Sequence, residues 1–220
     1  VFAARLPRAF ALRGPPIEGL PVRKASAAAS ALLVVYTFVI AGALGLSSAH
    51  WMTNGEYPFG RVGVGAWTVW PRSGSREADP YTRAVNARTG AIPLGVGEGL
   101  LLRASVDDGG RALDARCAYR VGPATPQARF WTLTLYDVAG RPVDTPLGRS
   151  GFSSAELLRD QNGGFSITVS REAATGNWLM MPESGPVTLI FRLYDSPASV
   201  GSAALDFRTV PRVERLECAP

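Results

Sequence analysis

Histidine, lysine and cysteine are nearly missing from this 220-residue chain. It holds one histidine (His50), one lysine (Lys24) and two cysteines (Cys117 and Cys218). With no histidine after residue 50, a Ser-His-Asp or Cys-His set has no base in the rest of the chain. One histidine and two cysteines cannot fill a four-ligand zinc site. No G-x-S-x-G elbow occurs. Gly95-Val96-Gly97-Glu98-Gly99 lacks both the G-x-G-x-x-G spacing and a following helix, which argues against a dinucleotide loop. The expectation is therefore no catalytic set, no metal and no cofactor. An all-carboxylate calcium site at Asp107-Asp108 is the weaker reading of a pair better suited to a turn.

Charge is also sparse, at 19% of residues, and unevenly placed. Residues 1–24 carry Arg5, Arg8, Arg13, Arg23 and Lys24 against Glu18, whereas residues 50–220 carry 18 arginines against 17 acids. Almost all of the net charge of +5 thus lies in the first 24 residues. No broad basic face remains for nucleic acid, and none is expected as a partner. Gly (24) and Pro (17) make up about a fifth of the chain, which disfavours a helical bundle and favours short elements joined by turns. A hydrophobic share of 46% argues against wholesale disorder.

From Ala25 to Ala49 no residue is charged, and Leu32, Leu33, Val34, Val35, Phe38, Val39 and Ile40 follow no amphipathic period. A run of 22 such residues spans about 33 Å as a helix, enough to cross the hydrocarbon layer of ~30 Å. A transmembrane helix or signal anchor is expected over 25–49, with the lipid bilayer as its partner. Arg23 and Lys24 flank one end, and His50 and Trp51 the other. The positive-inside rule then puts residues 1–24 in the cytoplasm and residues 50–220 across the membrane. Ser47-Ser48-Ala49 also suits a signal peptidase, but the run exceeds the usual 7–15-residue apolar core, which favours an uncleaved anchor. The leader, broken by Pro7, Pro15, Pro16 and Pro21, reads as disordered. Starting with Val1, it also reads as a fragment edge or an over-extended gene model. Both cysteines follow the anchor. An even count in an exported domain suggests a Cys117–Cys218 disulfide, against the alternative of two unrelated buried thiols.

Along the exported part, Val64–Trp70 alternates like one strand ended by Pro71. Asp79 (N-cap), Pro80 (N1) and Gly90 (C′) bracket a helix whose apolar face is expected at Tyr81, Ala84, Val85 and Arg88. Further strands are expected at Glu98–Val106, Cys117–Val121, Arg129–Asp137, Phe165–Ser170, Pro186–Tyr194 and Phe207–Cys218. Turns fall at Asp107–Gly110 and Asn162–Gly164. Ser153 and Glu156 have capping-box spacing, as if one helical turn began there. Trp131, mid-strand, reads as core. These elements predict a mainly β fold: an antiparallel β-sandwich, jelly-roll-like, with one or two short helices, preceded by a single transmembrane helix. The matching triplets Leu135-Tyr136-Asp137 and Leu193-Tyr194-Asp195 are too short to establish a repeat.

The segments GAWTVWPRSGSREADPYTRAVNARTGAIPLG (65–95), CAYRVGPATPQARFWTLTLYD (117–137), GFSSAELLRD (151–160) and GNWLMMPESGPVTLIFRLYD (176–195) resemble, in order, the bacterial domain of unknown function 1214. The resemblance implies a β-sandwich domain, sometimes carried on a membrane anchor, and supplies no mechanism. It makes the expected location the bacterial inner membrane, single-pass, with the C-terminal domain periplasmic. In one place the chain departs from the family: Met180 and Met181 stand between Asn177-Trp178-Leu179 and Pro182.

Candidate binding residues are those whose type suits a sugar or protein surface: Trp70, Arg72, Tyr81, Arg129, Asn177 and Trp178. Arg129 and Arg192 could instead pair with Asp137 or Asp195. Glu98, Asp137, Asp144, Glu156 and Asp195 are the acids from which a glycan hydrolase would draw a pair. The favoured expectation is a non-catalytic, membrane-anchored envelope module that binds an envelope protein or glycan. A carboxylate-dependent envelope hydrolase is the alternative.

Overall fold

The computed structural model describes residues 26–124, 127–197 and 208–218. The expectation for residues 1–24 lies outside them, as does Phe207. The first element, α1, is a helix of 26 residues, Ala27–Met52. Ser26 Oγ accepts the Ala29 N–H at 3.3 Å, capping its start. The helix is about 39 Å long, buries no residue, and is long and apolar enough to cross a membrane. It begins two residues later than expected and runs through His50 and Trp51, since neither breaks a helix.

A second compact unit begins at Ala49. Its elements in chain order are β1 (Val62–Val64), β2 (Trp67–Val69), α2 (Pro80–Thr89), β3 (Gly99–Ala104), β4 (Cys117–Gly122), β5 (Phe130–Tyr136), β6 (Gly151–Ser153), β7 (Ile167–Ser170), β8 (Asn177–Met180), β9 (Thr188–Tyr194) and β10 (Arg212–Cys218). They form two sheets. The larger runs β1-β2-β3-β9-β5-β6 and is antiparallel throughout; the smaller runs β10-β4-β7-β8. The fold is thus mainly β, with two sheets and two helices.

The expected strand Val64–Trp70 is instead a hairpin. Val64 pairs with Trp67, and Gly65 takes φ +61° at the first loop position, as a two-residue turn requires. Ala66 beside Trp67 masks the shift of phase at that turn, so the pattern alone does not reveal it. A second correction concerns strand direction. β7 and β8 run parallel, with Ile167 opposite Asn177. Both are four-residue strands, so the return path is only about 13 Å, and the link 171–176, which can span about 20 Å, covers it without a helix. Ser153 and Glu156 make a turn rather than a helical start. Ser153 Oγ donates to Glu156 Oε1 at 2.6 Å instead of accepting a backbone N–H.

Alternation along β5 buries Trp131, Leu133 and Leu135, and along β9 it buries Leu189, Phe191 and Leu193. From the smaller sheet come Tyr119, Val121, Ile167, Val169, Leu179 and Val213, and all of these belong to one apolar cluster. Trp131 is its hub, with ring centroids 5.0 Å from Phe165 and 5.1 Å from Phe191. Side chains of this size each contribute roughly 1.5–3 kcal/mol on full burial. The Cys117–Cys218 disulfide is present. The two residues are direct cross-strand partners of β4 and β10, and no free cysteine remains.

Candidate functional site

Three of the six candidate binding residues lie on or beside α2. Asp79 caps that helix: its carboxylate accepts the N–H of Tyr81 and of Thr82, both at 3.0 Å, and the Thr82 hydroxyl at 2.6 Å. The Thr82 hydroxyl and the two N–H groups hold the Asp79 pKa below the ordinary carboxylate value. The helix buries Thr82 and Val85; of the expected stripe Val85 is buried and Ala84 half-buried, while Tyr81 and Arg88 are exposed. Tyr81 and Arg88 therefore face outward. The stretch just after α1 is fastened along this helix. Thr53 Oγ1 accepts from Arg88 Nη1 at 2.8 Å, the Tyr57 hydroxyl donates to Asn86 Oδ1 at 2.7 Å, and Phe59 packs edge-on against Tyr81 at 5.7 Å. Residues 53–59 thus run from the C-terminal end of α2 toward its N-terminal end.

Trp70 completes this clasp. Its indole N–H donates to the Tyr57 carbonyl at 3.2 Å, and the two rings meet edge-on at 5.5 Å. Trp70 is buried, while Phe59 is 50% and Tyr81 38% exposed. Burial raises the Tyr57 pKa, partly offset by the Arg103 guanidinium. Arg72 is exposed nearby in sequence. Phe59 and Asn86 belong to the clasp and carry no local signal; only their long-range partners identify them.

The other three candidates lie elsewhere. Asn177 is buried and fully engaged: Nδ2 donates to the carbonyls of Leu158 (2.8 Å) and Ser166 (3.0 Å), and Oδ1 accepts the Leu158 N–H at 2.8 Å. The Trp178 indole N–H donates to Ser170, at 3.2 Å to its carbonyl and 3.1 Å to its hydroxyl. These two residues lock β8 onto β7. Arg129 pairs with Asp195 at 3.9 Å, both well exposed, so this pair is worth little in water. Arg192 makes no pair with Asp137 or Asp195. Its guanidinium donates to the Tyr136 hydroxyl at 2.7 Å, and Asp137 pairs with Arg141 instead. Among the described residues, no hydrogen bond, ion pair or ring contact joins the clasp, the β8 pair and Arg129.

The acids named as hydrolase candidates serve local turns. Glu98 accepts the Gly95 N–H at 3.0 Å, Asp137 the Arg141 N–H at 2.9 Å, and Glu156 is held by Ser153 and Arg149. Asp144 and Asp195 are exposed. No two of the five touch. Among the described residues there is no cluster of three or more His, Cys, Asp or Glu that could hold a metal.

The most buried acid belongs to a pair that the sequence assigns to a turn, with a calcium site as the weaker reading. Asp107, 1% exposed, accepts the Arg111 N–H at 2.9 Å and lies 2.7 Å from Arg215 Nε of β10. That contact is an ion pair rather than an aligned hydrogen bond. Burial pushes the Asp107 pKa up, but the Arg111 N–H and the Arg215 and Arg111 guanidinium groups outweigh it, leaving the pKa lowered. Asp108 exchanges backbone and side-chain hydrogen bonds with Val213, and the Trp67 indole donates to the Pro211 carbonyl at 2.6 Å. The last strand is therefore held by a disulfide, an ion pair and an indole.

No curated protein matches the chain. A crystal structure of a protein from Vibrio parahaemolyticus is 22% identical with a TM-score of 0.52, covering 64% of this chain and 36% of that one. A crystal structure of an uncharacterized protein from Burkholderia cenocepacia is 19% identical with a TM-score of 0.39, covering 67% and 48%. The chain thus spans between about a third and a half of the length of these proteins. The Vibrio likeness bears on the fold alone. The model of the family "Protein of unknown function (DUF1214)" matches residues 98–198, from the residue before β3 to beyond the end of β9. The likeness to this family thus covers residues 98–198, a little under half of the chain.

Proposed function

We propose that this chain is a single-pass protein of a bacterial inner membrane whose β body is a non-catalytic binding or assembly module in the periplasm. The observation that carries the reading is α1, which has 26 residues and buries none of them. A helix apolar all round and unburied is suited to lipid. Arg23 and Lys24 stand directly before it, whereas the first arginine after it is Arg61, and this asymmetry favours residues 1–24 in the cytoplasm. The Cys117–Cys218 disulfide suits an oxidising compartment. We read the two sheets as a sandwich, because both feed one apolar cluster through the Trp131–Phe165 contact. The clasp then acts as a mount, tying residues 53–59 to the body, with exposed Arg72 and Tyr81 free for a partner.

Reporter fusions at the C-terminus test the topology. Alkaline phosphatase should be active there and green fluorescent protein dark. The opposite pattern, or free thiols at Cys117 and Cys218 in protein taken from cells, defeats the reading. Crosslinking of the detergent-solubilised full chain should recover a specific envelope partner.

A further inference from the structure

The outward face of β5, β6 and β9 is built differently from the rest of the surface. Strand register sets it in rows: Phe130 beside Tyr194, then Ser153 beside Thr132 beside Arg192, then Gly151 beside Thr134 beside Ile190, which is buried. The Phe130 and Tyr194 rings lie 5.8 Å apart, and Phe130 is 38% exposed. One row on from this pair, at Thr132, a shallow depression begins, lined also by Thr134, Leu147, Arg149, Ser153 and Glu156. The Thr132 and Thr134 hydroxyls make no hydrogen bond among the described residues. Arg149 and Glu156 pair at 3.2 Å and cancel in charge, and Arg149 lies 4.6 Å over the Phe152 ring.

We propose that this depression binds an uncharged oligosaccharide, with Phe130 and Tyr194 as its apolar platform. The proposal rests on reading the body as a binding module and names the ligand class. A sugar ring offers an apolar face to an aromatic ring and hydroxyls at its edge to polar groups. Unspent threonine hydroxyls give and accept hydrogen bonds, as Arg149 and Glu156 do with their remaining groups. The cancelled Arg149–Glu156 charge disfavours an anionic ligand. An extended peptide fits less well: β6 has three residues, and the Ser153 carbonyl already accepts the Glu156 N–H at 3.1 Å. Arg129, a candidate from the sequence, flanks the platform at the start of β5.

Calorimetry on the full chain in lipid nanodiscs tests this with maltohexaose, cellohexaose and chitohexaose as uncharged probes and hexagalacturonate as an acidic one. At least one uncharged probe should bind saturably. Phe130→Ala and Thr132→Glu should each weaken that binding tenfold or more, with near-UV circular dichroism unchanged, while Ile92→Ala, at a site 94% exposed, leaves it intact. Binding by none of the uncharged probes overturns the proposal, as does binding that survives both substitutions or tighter binding of hexagalacturonate. Failure of the topology fusions leaves these outcomes readable, so the two readings fall separately.

Discussion

Replacing Asp107 by asparagine removes one charge and puts an amide NH2 where Oδ2 meets Nε of both Arg111 and Arg215. The side chain keeps its shape, and Oδ1 can still accept the Arg111 N–H that Asp107 accepts at 2.9 Å. What is lost is the counter-charge to Arg215, whose side chain is 15% exposed and whose Nε lies 2.7 Å from the carboxylate. Removing one partner of a buried pair costs about 3–5 kcal/mol, because the other charge stays behind uncompensated. Arg111, whose Nε meets the same Oδ2 at 3.0 Å, is 62% exposed and keeps water close, so the lower end applies, about 3 kcal/mol. For a body of this size that is a fall in melting temperature of roughly 6–12 °C.

Urea titration of Asp107→Asn, Arg215→Met and the double variant measures the effect. The coupling between the two sites should be about 2 kcal/mol or more, with the double variant no worse than Asp107→Asn alone. The pH dependence carries a sign of its own. The folded pKa of Asp107 is lowered, so its stabilisation is complete above the unfolded carboxylate value of about 4. It is lost as pH falls through the lower folded value. The wild type should therefore lose more stability below about pH 4 than Asp107→Asn does. Additive single variants, or parallel acid curves, refute the reasoning: the pair would then be solvated and the burial of Asp107 without consequence.

Other substitutions separate local from long-range supports. Cys218→Ser opens a covalent loop with a sequence separation of 101 and should cost about 2–5 kcal/mol in urea, an effect the wild type reproduces on addition of dithiothreitol. Asn177→Ala leaves the Leu158 N–H and two carbonyls without partners and should cost about 2–4 kcal/mol in the same assay. Asp79→Ala removes the cap of α2 and should cost about 1 kcal/mol, with faster amide exchange confined to the first turn of that helix.

What the sequence discloses follows the range of the interaction that forms each element. The ends of α2 are legible because Asp79, Pro80 and Gly90 act on their immediate neighbours, and β5 and β9 because alternation is repeated within each strand. The hairpin at Gly65 escapes notice for a local reason: Ala66 beside Trp67 masks the shift of phase from Val62 and Val64 to Trp67 and Val69. The buried face of α2 is misread because Thr82 is buried with its hydroxyl satisfied by Asp79, so a polar residue stands where an apolar one is sought. Asp107 and Arg215 are 108 positions apart, and Thr53 and Arg88 are 35 apart; no periodicity couples either pair. The candidate site divides along the same line. Trp70, Arg72 and Tyr81 are chosen by residue type near turns, and tertiary contacts then draw Trp70 and Tyr81 into a clasp whose other members type alone does not mark. Asn177 and Trp178, chosen the same way, are spent on joining β7 to β8. A polar or aromatic residue beside a turn is as useful to the fold as to a ligand, and the partner that decides between them lies far along the chain. The Thr132 and Thr134 hydroxyls turn that argument around: they sit in mid-strand, where residue type predicts only packing, and it is their place in the depression beside Arg149 and Glu156, with no partner among the described residues, that marks them.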